Sequence, residues 1–453
     1  MEKRIIKTII SEKQQEIATT ELVERPIFLE EVCNYVFVGL RRAGKSYLMF
    51  QHIQSMIKSG KATIEDILYI NFEDERISSI QMEELNLLLE SYRELYENKR
   101  PLIYLDEIQN IEGWEHFARR LADSKYRVYI TGSNAKMLSR DIATTLGGRF
   151  IIKEVYPFSF SEYLTYKGVK LSKNWEYSDE RITVAKLFDD YFHFGGFPET
   201  FDLRDKRSWI NSLYLKILLG DIISRNEIRN ADAIRLLAKK MAESVMQPIA
   251  LSRLQHIVSS AGAKVSRNTI ADYIGYMKDA YLVFGISNFT DSLSDREISQ
   301  KRYFCDNGLL NVFLADPETK LLENIVALAL MKRYGNEELS YYNKNVEVDF
   351  YLPSQKMAVQ ASFSISDSST FERETKALVK IANSFDVEKF IIVTYDNERT
   401  VEIAGILIDV VPVWKWLLNI EGFLGRDDCR EVVIDRGCFK THHRLHGLTQ
   451  RRD

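Results

Sequence analysis

The octapeptide Gly39-Leu40-Arg41-Arg42-Ala43-Gly44-Lys45-Ser46 constrains this chain more than any other stretch. It follows the apolar run Tyr35-Val36-Phe37-Val38 and opens an amphipathic stretch from Tyr47 to Lys58. In that strand, loop and helix order, the glycines let the backbone curl so that successive N–H groups point at phosphate oxygens, and the helix N-terminus adds its positive dipole end. A plain glycine turn before a helix needs neither the Lys-Ser pair nor this spacing. The loop therefore predicts an α/β domain built around a parallel sheet.

Three further apolar runs agree with it: Ile67–Phe72, Leu102–Leu105 and Val128–Thr131, each rich in β-branched and aromatic residues and separated by helical patterns. Such runs read as buried parallel strands. We expect a lead-in at 1–30 and a doubly wound P-loop NTPase domain with an AAA+-like sheet at 31–165. A helical and winged-helix region at 166–310 follows, then an α/β restriction-nuclease-like domain at 318–420. The tail at 425–453 is charged and without apolar period, which predicts weak order. Within the helical region, Ser266 is expected to cap a helix whose apolar face is Ile270, Tyr273, Ile274 and Met277.

The nucleotide site follows from the loop. Gly39, Arg42, Ala43, Gly44, Lys45, Ser46 and Tyr47 form the expected ATP-binding set, with Lys45 reaching the β- and γ-phosphates and Ser46 ligating Mg²⁺. Leu102-Ile103-Tyr104-Leu105-Asp106-Glu107 is an apolar strand that ends in two acids. Asp106 is expected to hold the Mg²⁺ water shell and Glu107 to act as general base toward the attacking water. In P-loop ATPases with a catalytic glutamate, the strand between the loop strand and the acidic strand carries a polar residue that senses the γ-phosphate. Asn134 or Ser133, at the end of Val128–Thr131, takes that place. Arg149 is read either as a positive charge for the transition state, in cis or toward a neighbouring subunit, or as a surface arginine. Arg41 and Arg42 either add phosphate contacts or face solvent.

The 453 residues are too many for one compact core and suit two or three domains. A net charge of -4 carries no whole-chain nucleic-acid signature, although it leaves room for a local basic face. Cys33, Cys305, Cys429 and Cys438 form no CxxC pair, so neither a zinc site nor a disulfide framework is indicated. Charges interrupt the apolar positions of the N-terminus, and no later run has the length of a bilayer-spanning helix. The cytoplasm, with no membrane partner, is the expected location.

Taken together, the loop, Asn71-Phe72-Glu73-Asp74, Leu105–Gln109, Thr131–Asn134, Leu146-Gly147-Gly148-Arg149 and Pro157–Tyr163 resemble predicted AAA+ superfamily ATPases of bacteria and archaea. These join an AAA domain to a C-terminal domain of unknown function. Gly195–Pro198, Tyr303–Leu310 and Glu347–Phe350 look like later landmarks of the same group, over roughly residues 20 to 420. The resemblance implies an ATPase of unassigned cellular task; the C-terminal modules are the expected site of any DNA or protein partner, and the oligomeric state stays open. Lys264 and Arg267, at the start of the capped helix, would suit duplex DNA.

The section from 318 to 420 is similar to the PD-(D/E)XK nuclease fold in the order of its elements, with Glu323 on a leading helix and Asp349 on a strand. Gln360 and Ser362 stand where an active member has an acid and a lysine, which predicts a catalytically dead module. Lys376 or Lys380 is the candidate to replace the lysine in space. Three functions follow: an ATP-driven switch or motor, a slow-turnover ATP-binding signalling protein, and, least favoured, an ATP-gated DNA nuclease.

Overall fold

The computed structural model describes residues 2–133, 144–172 and 174–422. Five strands form the first sheet: β1 (Asn34–Val38), β2 (Ile67–Asn71), β3 (Leu102–Asp106), β4 (Arg127–Gly132) and β5 (Phe150–Glu154). Their order is β2-β3-β4-β1-β5 and every pairing is parallel. This is the sheet of a P-loop NTPase, α/β as expected. The strand β5 was not foreseen. It lies at the sheet edge with Ile151 and Ile152 exposed, so its run lacks the continuous burial that marks the others.

Register brings four tyrosines into one row across this sheet: Tyr69 beside Tyr104, Tyr104 beside Tyr129, and Tyr129 beside Tyr35. The rings stack with centroids 6.4, 4.7 and 6.1 Å apart. Offset aromatic pairs across neighbouring strands stabilise the pairing beyond their buried area. The loop after β1 enters helix α2 (Lys45–Lys58), whose Phe50 and His52 pack on the row at 5.2 Å from Tyr69 and 4.5 Å from Tyr129.

The lead-in is a helix, α1 (Lys3–Thr19), and it belongs to this layer. Ile6, Ile9, Ile10 and Ile17 are buried, and Gln14 Nε2 donates to the carbonyl of Ile67 at 2.8 Å. The apolar positions recur on one face at helical spacing, which is what burial against a sheet needs.

A nine-stranded mixed sheet follows, in the order β13-β14-β12-β11-β10-β9-β7-β8-β6. Its members are β6 (Ile249–Ala250), β7 (Val283–Asn288), β8 (Ser299–Phe304), β9 (Ser340–Asn343), β10 (Glu347–Leu352), β11 (Met357–Ala361), β12 (Lys389–Thr394), β13 (Arg399–Ile403) and β14 (Ile406–Pro412). The helix Arg267–Asp279 starts at Ser266, whose side chain accepts from Thr269 N, and buries Ile270, Tyr273, Ile274 and Met277. The hairpin β7-β8 joins β9 through Ser287 opposite Ser340 and Asn288 opposite Tyr341. Strands from the 166–310 and 318–420 regions thus share one sheet. The helix Glu318–Tyr334 is buried on nearly all sides from Leu321 to Met331, so it shows no amphipathic period.

The landmarks Gly195–Pro198 and Asp306–Leu310 meet in space. Asp306 Oδ2 accepts from Gly196 N at 2.8 Å and its Oδ1 from Gly308 N at 2.8 Å. A Cβ at Gly196 would lie 2.0 Å from the carbonyl oxygen of Phe158, so only glycine fits this approach. These two motifs are packing features. The expected tail at 425–453 lies outside the described residues.

Candidate functional site

β1 delivers the chain to the loop at the sheet's carboxyl end. Gly39 passes so close to the neighbouring chain that a Cβ there would sit 2.0 Å from the Val155 carbonyl oxygen. Gly44, at φ +92°, turns the backbone into α2 in a region that side chains disfavour. Lys45 is the first helical residue and is buried, its Nζ donating to the carbonyls of Gly39 and Leu40 at 3.1 Å each. It also lies 3.7 Å from Glu107 Oε1. Burial pushes the Lys45 pKa down, and Glu107 and Asp106 work against that shift.

The acids stand at the end of β3, between β2 and β4. Asp106 is fully buried, accepting a hydrogen bond from Tyr69 Oη at 2.6 Å and another from Thr131 Oγ1. The Ser46 hydroxyl also hydrogen-bonds it. Burial and the neighbouring Glu107 push the Asp106 carboxyl above its usual range, with Thr131, Tyr69 and Ser46 pulling back. Glu107 adopts φ +53°, a left-handed conformation uncommon for a side chain of this size, in which its N–H meets Thr131 Oγ1 at 2.9 Å. Gln109 Nε2 donates to Glu107 Oε2 at 2.5 Å and to Ser133 Oγ at 3.4 Å. Burial alone would raise the Glu107 pKa, but Lys45, Gln109, Arg41 and Ser133 outweigh it and hold the carboxyl below its usual range.

A cavity of about 460 Å³ opens over these groups, lined among others by Leu22, Val23, Arg25, Arg41, Arg42, Lys45, Ser46, Tyr47, Asp106, Glu107 and Tyr166. Of the expected set, Arg42, Gly44, Lys45, Ser46, Tyr47, Asp106 and Glu107 line this one cavity, and Gly39 and Ala43 belong to the same loop. Tyr47 is 58% exposed and faces its mouth. Ser133 lies beside Glu107. Asn134, the other sensor candidate, lies outside the described residues. The donor set of Ser46 hydroxyl and Asp106 carboxylate is hard oxygen, which suits Mg²⁺. Gln109 Oε1 is buried with no hydrogen-bond partner among the described residues.

Arg149 is a correction as far as a role in cis is concerned. Its carbonyl accepts from Asn34 Nδ2, at the start of β1, and its Nε pairs with Asp123 at 2.5 Å. Because β1 and β5 run parallel from Asn34 opposite Phe150, Arg149 sits at the end of the sheet away from the loop. Five strand residues at about 3.3 Å each separate the two ends.

Sequence reasoning missed Tyr69, Thr131, Gln109 and Arg25. Arg25 grips Glu162 with Nε at 2.7 Å and Nη2 at 3.0 Å, and its Nη1 donates to the loop carbonyl of Ala43 at 3.0 Å. Nothing around position 25 marks it locally, whereas the tyrosine at the centre of β2 was open to the question of where its hydroxyl goes.

In the third section, Lys301 on β8 is fully buried among Glu347 at 2.9 Å, Asp349 at 3.0 Å and Glu323 at 3.4 Å. Gln360 holds the main chain there, accepting from Asp349 N at 2.8 Å and donating to Glu347 O at 3.1 Å. The cation among these acids comes from β8, while Lys376 and Lys380 line a cavity together with Glu323, Glu347 and Asp349. Among the described residues no group of three or more His, Cys, Asp or Glu side chains is placed to hold a metal ion.

The AAA domain family matches residues 34–164, and the family described as Domain of unknown function (DUF8612) matches residues 185–320. An uncharacterized protein of Methanocaldococcus jannaschii is 32% identical over 434 residues, spanning 92% of this chain and 96% of that protein. An uncharacterized protein of Haemophilus influenzae is 28% identical over 420 residues, spanning 88% of this chain and 99% of that one. Among solved structures, the Walker-type ATPase PABY2304 of Pyrococcus abyssi overlaps with a TM-score of 0.36 at 12% identity, over 69% of this chain and 95% of that one. An overlap so loose leaves the fold assignment to strand order and loop. Among the described residues, no helix is long and apolar enough to cross a membrane. The domain of unknown function follows the AAA domain in the chain, as the resemblance implies. The chain belongs to the AAA+ superfamily, in one family with the M. jannaschii protein, and joins an AAA-type P-loop ATPase domain to a following domain of unknown function.

Proposed function

We propose that this protein is a Mg²⁺-dependent cytoplasmic ATPase that works as a switch or motor, with the modules after residue 165 recognising a DNA or protein partner. The observation that carries this reading is the convergence of Lys45, Ser46, Asp106 and Glu107 on one cavity. Lys45 binds the β- and γ-phosphates in place of the loop carbonyls it now caps. Ser46 and Asp106 would hold Mg²⁺, which would supply positive charge against the phosphates. Tyr69 and Thr131 fix the Asp106 carboxylate by hydrogen bonds to both oxygens, so its orientation is set before nucleotide arrives. Glu107, ionised and oriented by Gln109, accepts a proton from the attacking water, whose oxygen bonds to the γ-phosphorus while the bond to the β–γ bridging oxygen breaks.

The switch reading is supported by ties between the loop and the helical region. Arg41 pairs with Asp221, and Arg42 Nη1 lies 2.8 Å from Glu199. Lys264 and Arg267 are exposed and available to a partner. The reading is tested by steady-state ATP hydrolysis with Mg²⁺, with EDTA and with duplex DNA added. Turnover that needs Mg²⁺ supports it, and no turnover under any of these conditions would refute it.

A further inference from the structure

Arg41 is tied in an asymmetric way. Its Nε and Nη2 meet the two oxygens of Asp221 at 2.8 and 3.0 Å, and its Nη1 meets Glu73 Oε1 at 2.9 Å. The two acids are not equivalent. Glu73 lines the nucleotide cavity and its side chain is 45% exposed, whereas Asp221 stands outside that lining and is 4% exposed. Fork-to-fork pairing fixes the plane of a guanidinium, which one hydrogen bond does not.

Asp221 lies in Ile217–Ser224, a π-wound continuation of the helix Lys206–Lys216. Such windings are rare and occur frequently at functional positions. Arg225 Nη2 lies 3.8 Å from the same carboxylate, so Asp221 stays compensated when Arg41 shares its charge elsewhere. Asp221 therefore holds Arg41 through Nε and Nη2 and leaves Nη1 with Glu73, which lines the same cavity as Lys45, Ser46 and Glu107. The guanidinium charge already reaches Lys45 and Glu107 and depresses both their pKa values.

We propose that Arg41 is a catalytic residue of this site, contacting the terminal phosphate group of ATP, and that Asp221 is its positioning residue. The proposal rests on nucleotide occupying the phosphate loop as described above. Glu73, the exposed partner, gives up its hydrogen bond to the phosphate. As the water oxygen bonds to the γ-phosphorus, the bridging oxygen keeps the electron pair of the broken bond and the water proton passes to Glu107. A guanidinium held in place offsets charge on the transferring group without reorganising.

The test uses the full chain as wild type, Arg41→Ala, Arg41→Lys and Asp221→Asn, with Tm, ATPγS and ADP affinities and steady-state hydrolysis measured for each. Arg41→Ala is expected to weaken ATPγS about tenfold or more, leave ADP near wild type, and lower kcat at least about a hundredfold, the scale of losing one transition-state donor. Asp221→Asn is expected to lower kcat about tenfold with KM and ADP affinity near wild type, since the remaining hydrogen bond no longer fixes the guanidinium plane. Arg41→Lys is expected to behave like Arg41→Ala, because an ammonium cannot take the grip.

Equal loss of ATPγS and ADP affinity in Arg41→Ala overturns the proposal, as does faster turnover in Asp221→Asn, which would make the pair a restraint. If the wild type binds ATPγS without hydrolysing it, the ATPase reading fails, and the ATPγS to ADP ratio of Arg41→Ala then decides the phosphate contact. If Asp221→Asn does not fold, the comparison of Arg41→Lys with Arg41→Ala decides: full activity in the lysine variant overturns the positioning role.

Discussion

The buried ammonium of Lys301, on β8, lies 3.0 Å from Asp349 Oδ1, on β10, with β7 and β9 between the two strands in the sheet order. Burial works against a charge on Lys301, and Glu323, Asp349 and Glu347 outweigh it, so the lysine stays protonated. The position where clustered acids would gather a divalent cation in a nuclease is held by a side-chain cation instead. We predict no cleavage of single- or double-stranded DNA with Mg²⁺ or Mn²⁺, with or without ATP. Asp349→Ala must run alongside, because contaminating nuclease survives that change. Cutting by the wild type that disappears in Asp349→Ala would show the module to be active.

Lys45→Ala removes the cation that the loop carbonyls and Glu107 surround. The expected outcome is loss of nucleotide binding or turnover, because this lysine is the loop's cation for the β- and γ-phosphates. Fluorescent-nucleotide titration and phosphate release measure it. Unchanged affinity together with unchanged hydrolysis would refute the site.

Glu107→Gln keeps the shape of the side chain and its hydrogen-bonding reach but cannot accept the water proton. Binding of Mg-ATP is expected to persist while hydrolysis slows at least about a hundredfold, the usual scale for a lost general base. A near-normal kcat would assign the base elsewhere.

His52 supplies a pH dependence of stability. It packs between Tyr104 and Tyr129, its Nδ1 2.9 Å from the Tyr104 hydroxyl, and burial pushes its pKa from 6.5 down to about 4. Between those values the unfolded chain binds more protons than the folded one, so this contribution is fully present above pH 6.5 and is lost as pH falls toward 4. Thermal melts from pH 7.5 to 5 are expected to show a shallower decline for His52→Gln than for wild type. An identical decline would place the acid sensitivity elsewhere.

Much of the nucleotide site is written in short stretches. The glycines, the lysine and the acid pair each act through backbone shape or through position at a strand end, and such local rules show in the order of residues. The sheet was legible for the same reason in β1 to β4, whose burial makes continuous apolar runs. The edge strand β5 escaped because one face is open to solvent, and β6 is two residues long.

What the sequence by itself determined is therefore the loop, the two acids at the end of β3, and the presence of Gln360 and Ser362 where an acid and a lysine would be needed for a nuclease. Only the tertiary structure decided that Lys301 is the buried cation, that Arg149 lies at the far end of the sheet, and that Arg41 is gripped by Asp221, 180 residues away. A charge pair between distant segments leaves no periodicity or spacing in either one. It exists only where packing has removed both partners from water and brought them within hydrogen-bond reach.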